Sequence, residues 1–559
     1  MSTVYEGVGV GRGMAVGPVV KVHPSPAVPV GAGGDPDAIE PAFAAVAATL
    51  TKRAEGATKT VADILKATAQ MAQDPALRAE AVQRAGTGES PAEAVDRSVQ
   101  RFVDMFQAAG GYLAERVTDL RSVRDRVVAE LLGLPEPGVP VLSVPSIVIA
   151  TDLAPADTAA LDPQMVLAIV TSHGGPTGHT AIIAGQLGLP CVVRASGVMA
   201  VEEGTEVAVD AAAGTVVVDP SPELREEAAA RARVQAQLAQ DTLPGATSDG
   251  HEIALLANIG TPADATRAAA TPAEGVGLFR TEVLFLDRAT EPTLDEQATA
   301  YGAVLGAFGG DAPRKVVVRT LDAGADKPLP FVTQPGEENP ALGVRGYRLA
   351  RRNPELLRTQ LEALAAAARS TGATPWVMAP MIATVAEAAA FAQTAREAGL
   401  TEPCKVGVMV EVPSAALRAA DMLEHVDFVS IGTNDLAQYA MATDRLRGTL
   451  ADLLDPFQPA VLDLVATTAR AGAAAGKPVG VCGESASDPL MALVLTGLGI
   501  TSLSMSIGAM PAVRHLLHHH TLEQCQAMAE AALGATSAAE AREAVRALAD
   551  KEIVGSLAL

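Results

Sequence analysis

The sequence predicts a multidomain α/β fold: a small α/β domain with an α-helical domain inserted into it, followed by a (β/α)8 TIM barrel. Three observations lead there. Residues 35–133 are rich in Ala, Glu, Arg and Leu with apolar residues at helical spacing, while short apolar β-runs flank them on both sides. After residue 250, apolar runs alternate with helical segments about eight times. The polar residues of those later runs gather at the C-terminal ends, the face on which barrels carry their sites.

The elements follow in order. Residues 4–22, with GVGVGRGMAVGPVVKV, read as short strands joined by glycine turns. Leu113, Val117, Leu120, Val123, Val127 and Leu131 form one helical stripe of the insert, and Gly86–Pro91 breaks that block. PVLSVPSIVIA, MVLAIVTS, CVVRA, EVAVDAA and TVVVDP then return as buried strands. Glu223–Gln240 is a charged, Ala-rich helix suited to a linker. The domain limits that result are 1–33 with 135–222 for the α/β domain, 34–134 for the insert, 223–249 for the linker and 250–559 for the barrel. The barrel runs are IALLANI (253–259), GVGLFRT (275–281), KVVVRTL (315–321), WVMAPMI (376–382), KVGVMVE (405–411), DFVSIGT (427–433), PVGVCGE (478–484) and SLSMS (502–506). A doubly wound open sheet is the alternative, but eight repeats over roughly 300 residues favour closure.

Composition excludes several classes. The net charge of -23 repels nucleic acid and anionic membranes, so an anionic substrate needs a local cationic pocket. The four cysteines lie far apart with no CxxC pair, which argues against a disulfide framework or structural zinc and for a reducing cytosol. Met1–Val10 lacks the pattern of a signal peptide. Pro489–Val513 is uncharged, but its glycines and Pro511 suit a buried helix, loop and strand better than a membrane span.

The strand-end residues are Arg280, Arg319, Glu411, Asn434, Asp435 and Cys482. Scattered surface charges would not favour one end of several strands, so these positions mark a functional site on the barrel's catalytic face. Cys482 as a small buried residue and Glu411 as an ion-pair partner are the alternative readings. In the first half, Thr171-Ser-His-Gly-Gly-Pro-Thr-Gly-His179-Thr joins an apolar strand to an apolar helix through glycines. A helix N-terminus holds phosphate and disfavours imidazolium, keeping His179 neutral and nucleophilic. A capping role is the alternative, and His173 is the nearby competitor. His515 and His518–His520 read as a polar helix face rather than a metal site, since no Cys or carboxylate stands at ligand spacing.

Taken together these segments resemble Enzyme I of the bacterial phosphotransferase system, the phosphoenolpyruvate–protein phosphotransferases. The resemblance runs nearly end to end, through GVGVGRGMAVGPV, YLAERVTDLRSVRDRV, GGPTGHTAIIA, EGVGLFRTEVLFLDR, VVVRTLDAGADKP, EENPALGVRGYR, APMIATVAEA, VGVMVEVPSA, DFVSIGTNDLAQY and GVCGESASDP. It implies a swivelling α/β domain phosphorylated on His179, and a barrel that binds phosphoenolpyruvate and Mg2+, releases pyruvate and forms a homodimer. It also implies a helical insert that docks the phosphocarrier protein HPr, in the cytoplasm. By motif position, Arg280, Arg319, Asn434, Asp435 and Arg445 would contact substrate, with Lys327 and Arg345 as further members of the cationic pocket. Glu411 and Asp435 would bind magnesium, Cys482 would protonate the enolate, and Thr158 would orient His179. The loop departs from many relatives at Pro176 and Gly178, where they carry a basic residue and Ser, and this bears on HPr docking. Pyruvate phosphate dikinases and phosphoenolpyruvate synthases share the loop and barrel, but they need a nucleotide-binding domain before the loop. Only 178 residues precede His179, and no GKS or GKT loop occurs.

Overall fold

Two compact units make up the chain, Met1–Ala229 and Ala230–Leu559. The computed structural model describes all residues except 1–2, 12, 30, 32–33, 56–58, 110–116, 141, 154–160, 163, 176–179, 182–183, 186–187, 239, 286–287, 289, 311–312, 326–328, 333–336, 445–447 and 558. His179, Thr158, Lys327 and Arg445 therefore lie outside the described residues.

In the first unit the glycine-punctuated start forms β1 (Val4–Glu6), β2 (Val8–Val10) and β3 (Met14–Lys21). The later runs form β4 (Ser146–Ala150), β5 (Val166–Thr171), β6 (Cys191–Val193), β7 (Glu206–Asp210) and β8 (Thr215–Val218). They join in one eight-stranded sheet, β1-β8-β7-β3-β4-β5-β6-β2. Strands β3 to β6 run parallel, and β4 is buried along its whole length, as expected of a strand covered on both faces. β4 starts at Ser146, later than the apolar run PVLSVPSIVIA suggests, because Pro145 has no N–H for a ladder. The insert folds as helices Ile39–Glu55, Lys59–Ala72, Pro75–Gly86, Pro91–Ala109 and Val117–Leu132. Phe43, Leu50, Leu77, Val95, Val123 and Val127 are its buried centre. Helix Pro222–Leu238 follows the sheet.

In the second unit each of the eight apolar runs becomes a strand. They are β9 (Ala254–Ile259), β10 (Gly275–Arg280), β11 (Lys315–Arg319), β12 (Trp376–Ala379), β13 (Lys405–Val410), β14 (Phe428–Ile431), β15 (Val479–Val481) and β16 (Ser502–Met505). All pair in parallel, and β16 closes on β9, so the sheet is a barrel and not an open doubly wound sheet. Thr261, Thr293, Thr384 and Thr521 start four outer helices with reciprocal capping boxes, each satisfying backbone donors that would otherwise be orphaned. The uncharged stretch after Pro489 folds as helix Pro489–Gly497, β16 and helix Met510–His518. Among the described residues no helix is long and apolar enough to cross a membrane.

The histidine cluster corrects one expectation. His520 is fully buried, not part of a polar face. Its Nδ1 lies 2.7 Å from the Leu516 carbonyl of the preceding helix, and its Nε2 accepts from the Asp550 N–H at 3.0 Å, so the ring ties the segment at Asp550 to that helix. Among the described residues, no group of three or more His, Cys, Asp or Glu could hold a metal ion.

Candidate active site

The C-terminal ends of the barrel strands bring the expected groups together. Arg280 ends β10 and Arg319 ends β11, and the two are register partners across that parallel pair. Glu411 follows β13 directly, Cys482 follows β15, and Asn434 and Asp435 open helix Thr433–Ala440 after β14.

Arg319 is buried, hydrogen-bonded through one Nη to Glu282 and ion-paired through the other with Asp322 at 3.1 Å. Burial works against its charge, but Glu282, Asp322 and Glu411 outweigh it and hold the guanidinium protonated beyond its ordinary range. Its Nε–H is buried without a partner among the described residues. Arg345, fully buried, makes two bonds to Asp322 (3.0 and 3.1 Å) and one to Asp435 (3.0 Å). Asp322 therefore bridges the two buried guanidinium groups. Arg280 is half-buried and, among the described residues, makes no ion pair, so its cation is available to a ligand.

Behind Arg319 stands a neutral buried network. Thr281 Oγ1 donates to the Arg319 carbonyl (2.8 Å), and Gln360 Nε2 donates to Thr281 Oγ1 (3.0 Å). Gln360 Oε1 accepts from the Leu321 N–H at 3.0 Å. These bonds fix the backbone on both sides of the strand end, as a satisfied buried network should.

Glu411 is nearly inaccessible, and its Oε1 accepts the Met381 N–H at 2.6 Å. Met381 has φ of 60°, a left-handed conformation that costs an ordinary residue energy and here aims its N–H at the carboxylate. Burial, then Asp435 and Asp322, push Glu411 up to about 8, against the pull of Arg319 and Arg345. Cys482 is 3% exposed among Leu278, Val317, Met378, Met409 and Phe428. Burial pushes its thiol up to about 11, so it is protonated at neutral pH.

The loops after β14 and β15 are tied to each other. Thr433 and Ser485 hydroxyls lie 2.8 Å apart, and Asn434 Oδ1 accepts the Glu484 N–H at 2.8 Å. Gly483 allows the close approach: a Cβ there would overlap Thr433 Oγ1 and stand 2.7 Å from the Thr433 backbone nitrogen.

In the first unit the strand ends also carry polar groups. Arg194 follows β6 and donates from Nε to the Gly174 carbonyl at 2.9 Å. Asp152, just past β4, accepts from Thr180 Oγ1 at 3.0 Å. Thr171 Oγ1 donates to the His173 carbonyl at 2.7 Å. The described flanks of the His179 loop are thus braced by Asp152 and Arg194, which the sequence reading did not single out. Their position just after strands was the signal that could have found them.

Three family models match the chain. Residues 234–522 match the phosphoenolpyruvate-binding domain of phosphoenolpyruvate-utilising enzymes, 142–214 their mobile domain and 6–116 their N-terminal domain. The chain is similar to a phosphoenolpyruvate-protein phosphotransferase of Streptomyces coelicolor, 51% identical over 99% of this chain and 100% of that one. Proteins of the same description from Haloferax volcanii (44% identical, 81% of each chain) and Bacillus subtilis (39% identical, 86% of each chain) are also similar.

Proposed function

This chain belongs to the phosphoenolpyruvate-protein phosphotransferases, within the phosphoenolpyruvate-utilising enzymes, and we propose that it moves a phosphoryl group from phosphoenolpyruvate to His179 and then to a histidine of HPr. In this reading residues 250–559 bind phosphoenolpyruvate, 1–33 with 135–222 carry His179, 34–134 dock HPr and 223–249 link the two. Dimerisation through the barrel and a cytoplasmic setting belong to the same reading.

One observation carries it: the registered pair Arg280 and Arg319 shares a barrel mouth with Glu411, Asp435 and a protonated buried thiol. Phosphoenolpyruvate presents a phosphate and a carboxylate, which two guanidinium groups can grip. Arg319 is pre-ordered by Glu282 and Asp322, while Arg280 keeps its cation for the ligand. Asn434 offers its amide donors. Arg345 acts one step back, by holding Asp322 and Asp435 in place. Lys327 and Arg445 complete the cationic pocket, and Thr158 orients His179.

Glu411 and Asp435 would hold Mg2+. Their fit rests on the crowding that raises Glu411, because carboxylates that repel one another in a dry site are stabilised by a cation. Two protein carboxylates with substrate oxygens and water match this ion's habit. Bound there, it would supply charge neutralisation on the transferring phosphate. The neutral His179 imidazole takes the phosphoryl group, and Cys482 gives its proton to carbon three of the enolate.

The deciding experiment is incubation with labelled phosphoenolpyruvate and Mg2+ without ATP. Label is expected on the protein, at His179, and chasable to HPr. Label at His173, or none without a nucleotide, would refute the proposal.

A further inference from the structure

Lys315 has no task in the chemistry above. It opens β11, so it stands at the barrel end opposite Arg280, Arg319 and Cys482. Its ammonium lies over the Trp376 ring, 3.9 Å from the centroid, and among the described residues it makes no ion pair or hydrogen bond. Lys315 and Trp376 line a cavity inside the barrel together with Phe428, Ser430, Gly480 and Ser502. Glycines keep it open: a Cβ on Gly480 would stand 2.7 Å from Ser502 Oγ, and one on Gly277 would overlap Ser504 Oγ. The free space is about 10 Å3, room for about one water between polar partners. At its upper end the Ser430 hydroxyl stands within reach of the Cys482 sulfur, while the thiol itself donates to the Ile431 carbonyl at 3.6 Å.

We propose that this cavity is a proton path, in which Lys315, one water and Ser430 return the proton that Cys482 gives to the enolate. The proposal rests on the reading of Cys482 as proton donor. In the donor step the S–H bond breaks, the enolate's electron pair forms the new C–H bond at carbon three, and a thiolate remains. The thiolate then takes the Ser430 hydroxyl proton, Ser430 takes one from the water, and the water takes one from the Lys315 ammonium. Solvent at the N-terminal mouth reprotonates the amine, so each cycle moves one proton from solvent to the methyl group of pyruvate and returns the protein to its starting state.

The need and the direction both follow from the surroundings. Cys482 is 3% exposed, so solvent reaches it poorly. Burial holds its thiol up to about 11, so a thiolate left there takes a proton readily. Burial lowers Lys315 to about 8, so its ammonium releases one near neutrality. The charged groups around the thiol are Arg319, Glu411 and Arg280. Around Lys315 the neighbouring charges are engaged elsewhere. Lys405 pairs with Glu402 at 3.2 Å, Arg314 donates to the Ala269 and Ala273 carbonyls, and Glu274 accepts from the Gly245 and Leu255 N–H groups. Asp427 accepts from Arg396 and the Val406 N–H.

The test follows deuterium from D2O into the methyl group of pyruvate by NMR during turnover with Mg2+, phosphoenolpyruvate and HPr. Alongside it, label transfer from phosphoenolpyruvate is followed in a single turnover. Lys315→Met should slow deuterium entry about tenfold or more and leave the single turnover as it is, because the first proton is already on Cys482. Lys315→Arg keeps a cation over Trp376 but does not release a proton, so it should be equally slow. Ser430→Ala breaks the path at its other end and should give the same split. Unchanged deuterium entry in Lys315→Met and Ser430→Ala, or restoration by Lys315→Arg, overturns the path. Collapse in Cys482→Ala with normal Lys315→Met keeps the donor and discards the path. Normal entry in Cys482→Ala discards the donor reading itself.

Discussion

Asp322→Ala tests the electrostatic frame of the site most directly. Asp322 is fully buried, accepts hydrogen bonds from Arg345 Nε and Nη2 at 3.0 and 3.1 Å, and pairs as an ion with Arg319 Nη1 at 3.1 Å. Hydrogen bonds to charged groups contribute about 1.5–3 kcal/mol each, so the two from Arg345 amount to roughly 3–6 kcal/mol before the ion pair with Arg319 is counted. The true loss is smaller, because Arg319 keeps Glu282 and Arg345 keeps Asp435. Removing one partner from a buried charge cluster costs about 3–5 kcal/mol, and that is the expected loss. Urea unfolding followed by tryptophan fluorescence measures it cleanly, since Trp376 is the chain's single tryptophan and sits in β12, so the signal reports the barrel. A loss below about 1 kcal/mol, typical of an exposed pair, would refute the bridging account. The variant carries a second expectation. Asp322 is one of the charges that raise Glu411, so its removal lowers that carboxyl and should move the acid limb of phosphoryl transfer to lower pH. Movement to higher pH would contradict the assignment.

Three further outcomes are expected. His179→Ala should lose all labelling by phosphoenolpyruvate while the barrel's urea midpoint stays unchanged; a residual labelled histidine would move the nucleophile elsewhere. Gly483→Ala should abolish turnover, because its Cβ meets the Thr433 backbone, and full activity would show that the two loops separate freely. Lys315 gives a pH dependence of stability. Its folded value is lowered to about 8 from an ordinary 10.5, so between those values the unfolded chain holds more protons and stability rises with pH. Below about 8 both states are protonated and the desolvation cost is fully present. The barrel's urea midpoint should therefore climb from pH 8 to 10.5 in the wild type and less in Lys315→Met; equal slopes would refute the lowered value.

What the sequence disclosed and what it hid divide along one physical line. The eight barrel runs are continuous apolar stretches because a parallel sheet is covered on both faces, so each was visible without its neighbours. Arg280, Arg319, Glu411, Asp435 and Cys482 were visible because charge at the end of an apolar run has a meaning only in a barrel. Asp322 was passed over, although it stands three residues after Arg319 in the same segment. Its significance comes from Arg345, 23 residues further on, and that meeting is made by barrel closure rather than by any local pattern. His520 escaped for the same reason: four histidines near a helix end look polar until Asp550, 30 residues later, donates to one of them. Lys315 was hidden differently. A lysine at the first position of a strand reads as a solvated edge, and only the ring of Trp376 and the cavity kept open by the glycines at 277 and 480 make it a half-buried cation. Local periodicity thus reveals where reacting groups are mounted. The groups that set their charge and resupply their protons are long-range partners, and they become legible only once the strands are placed side by side.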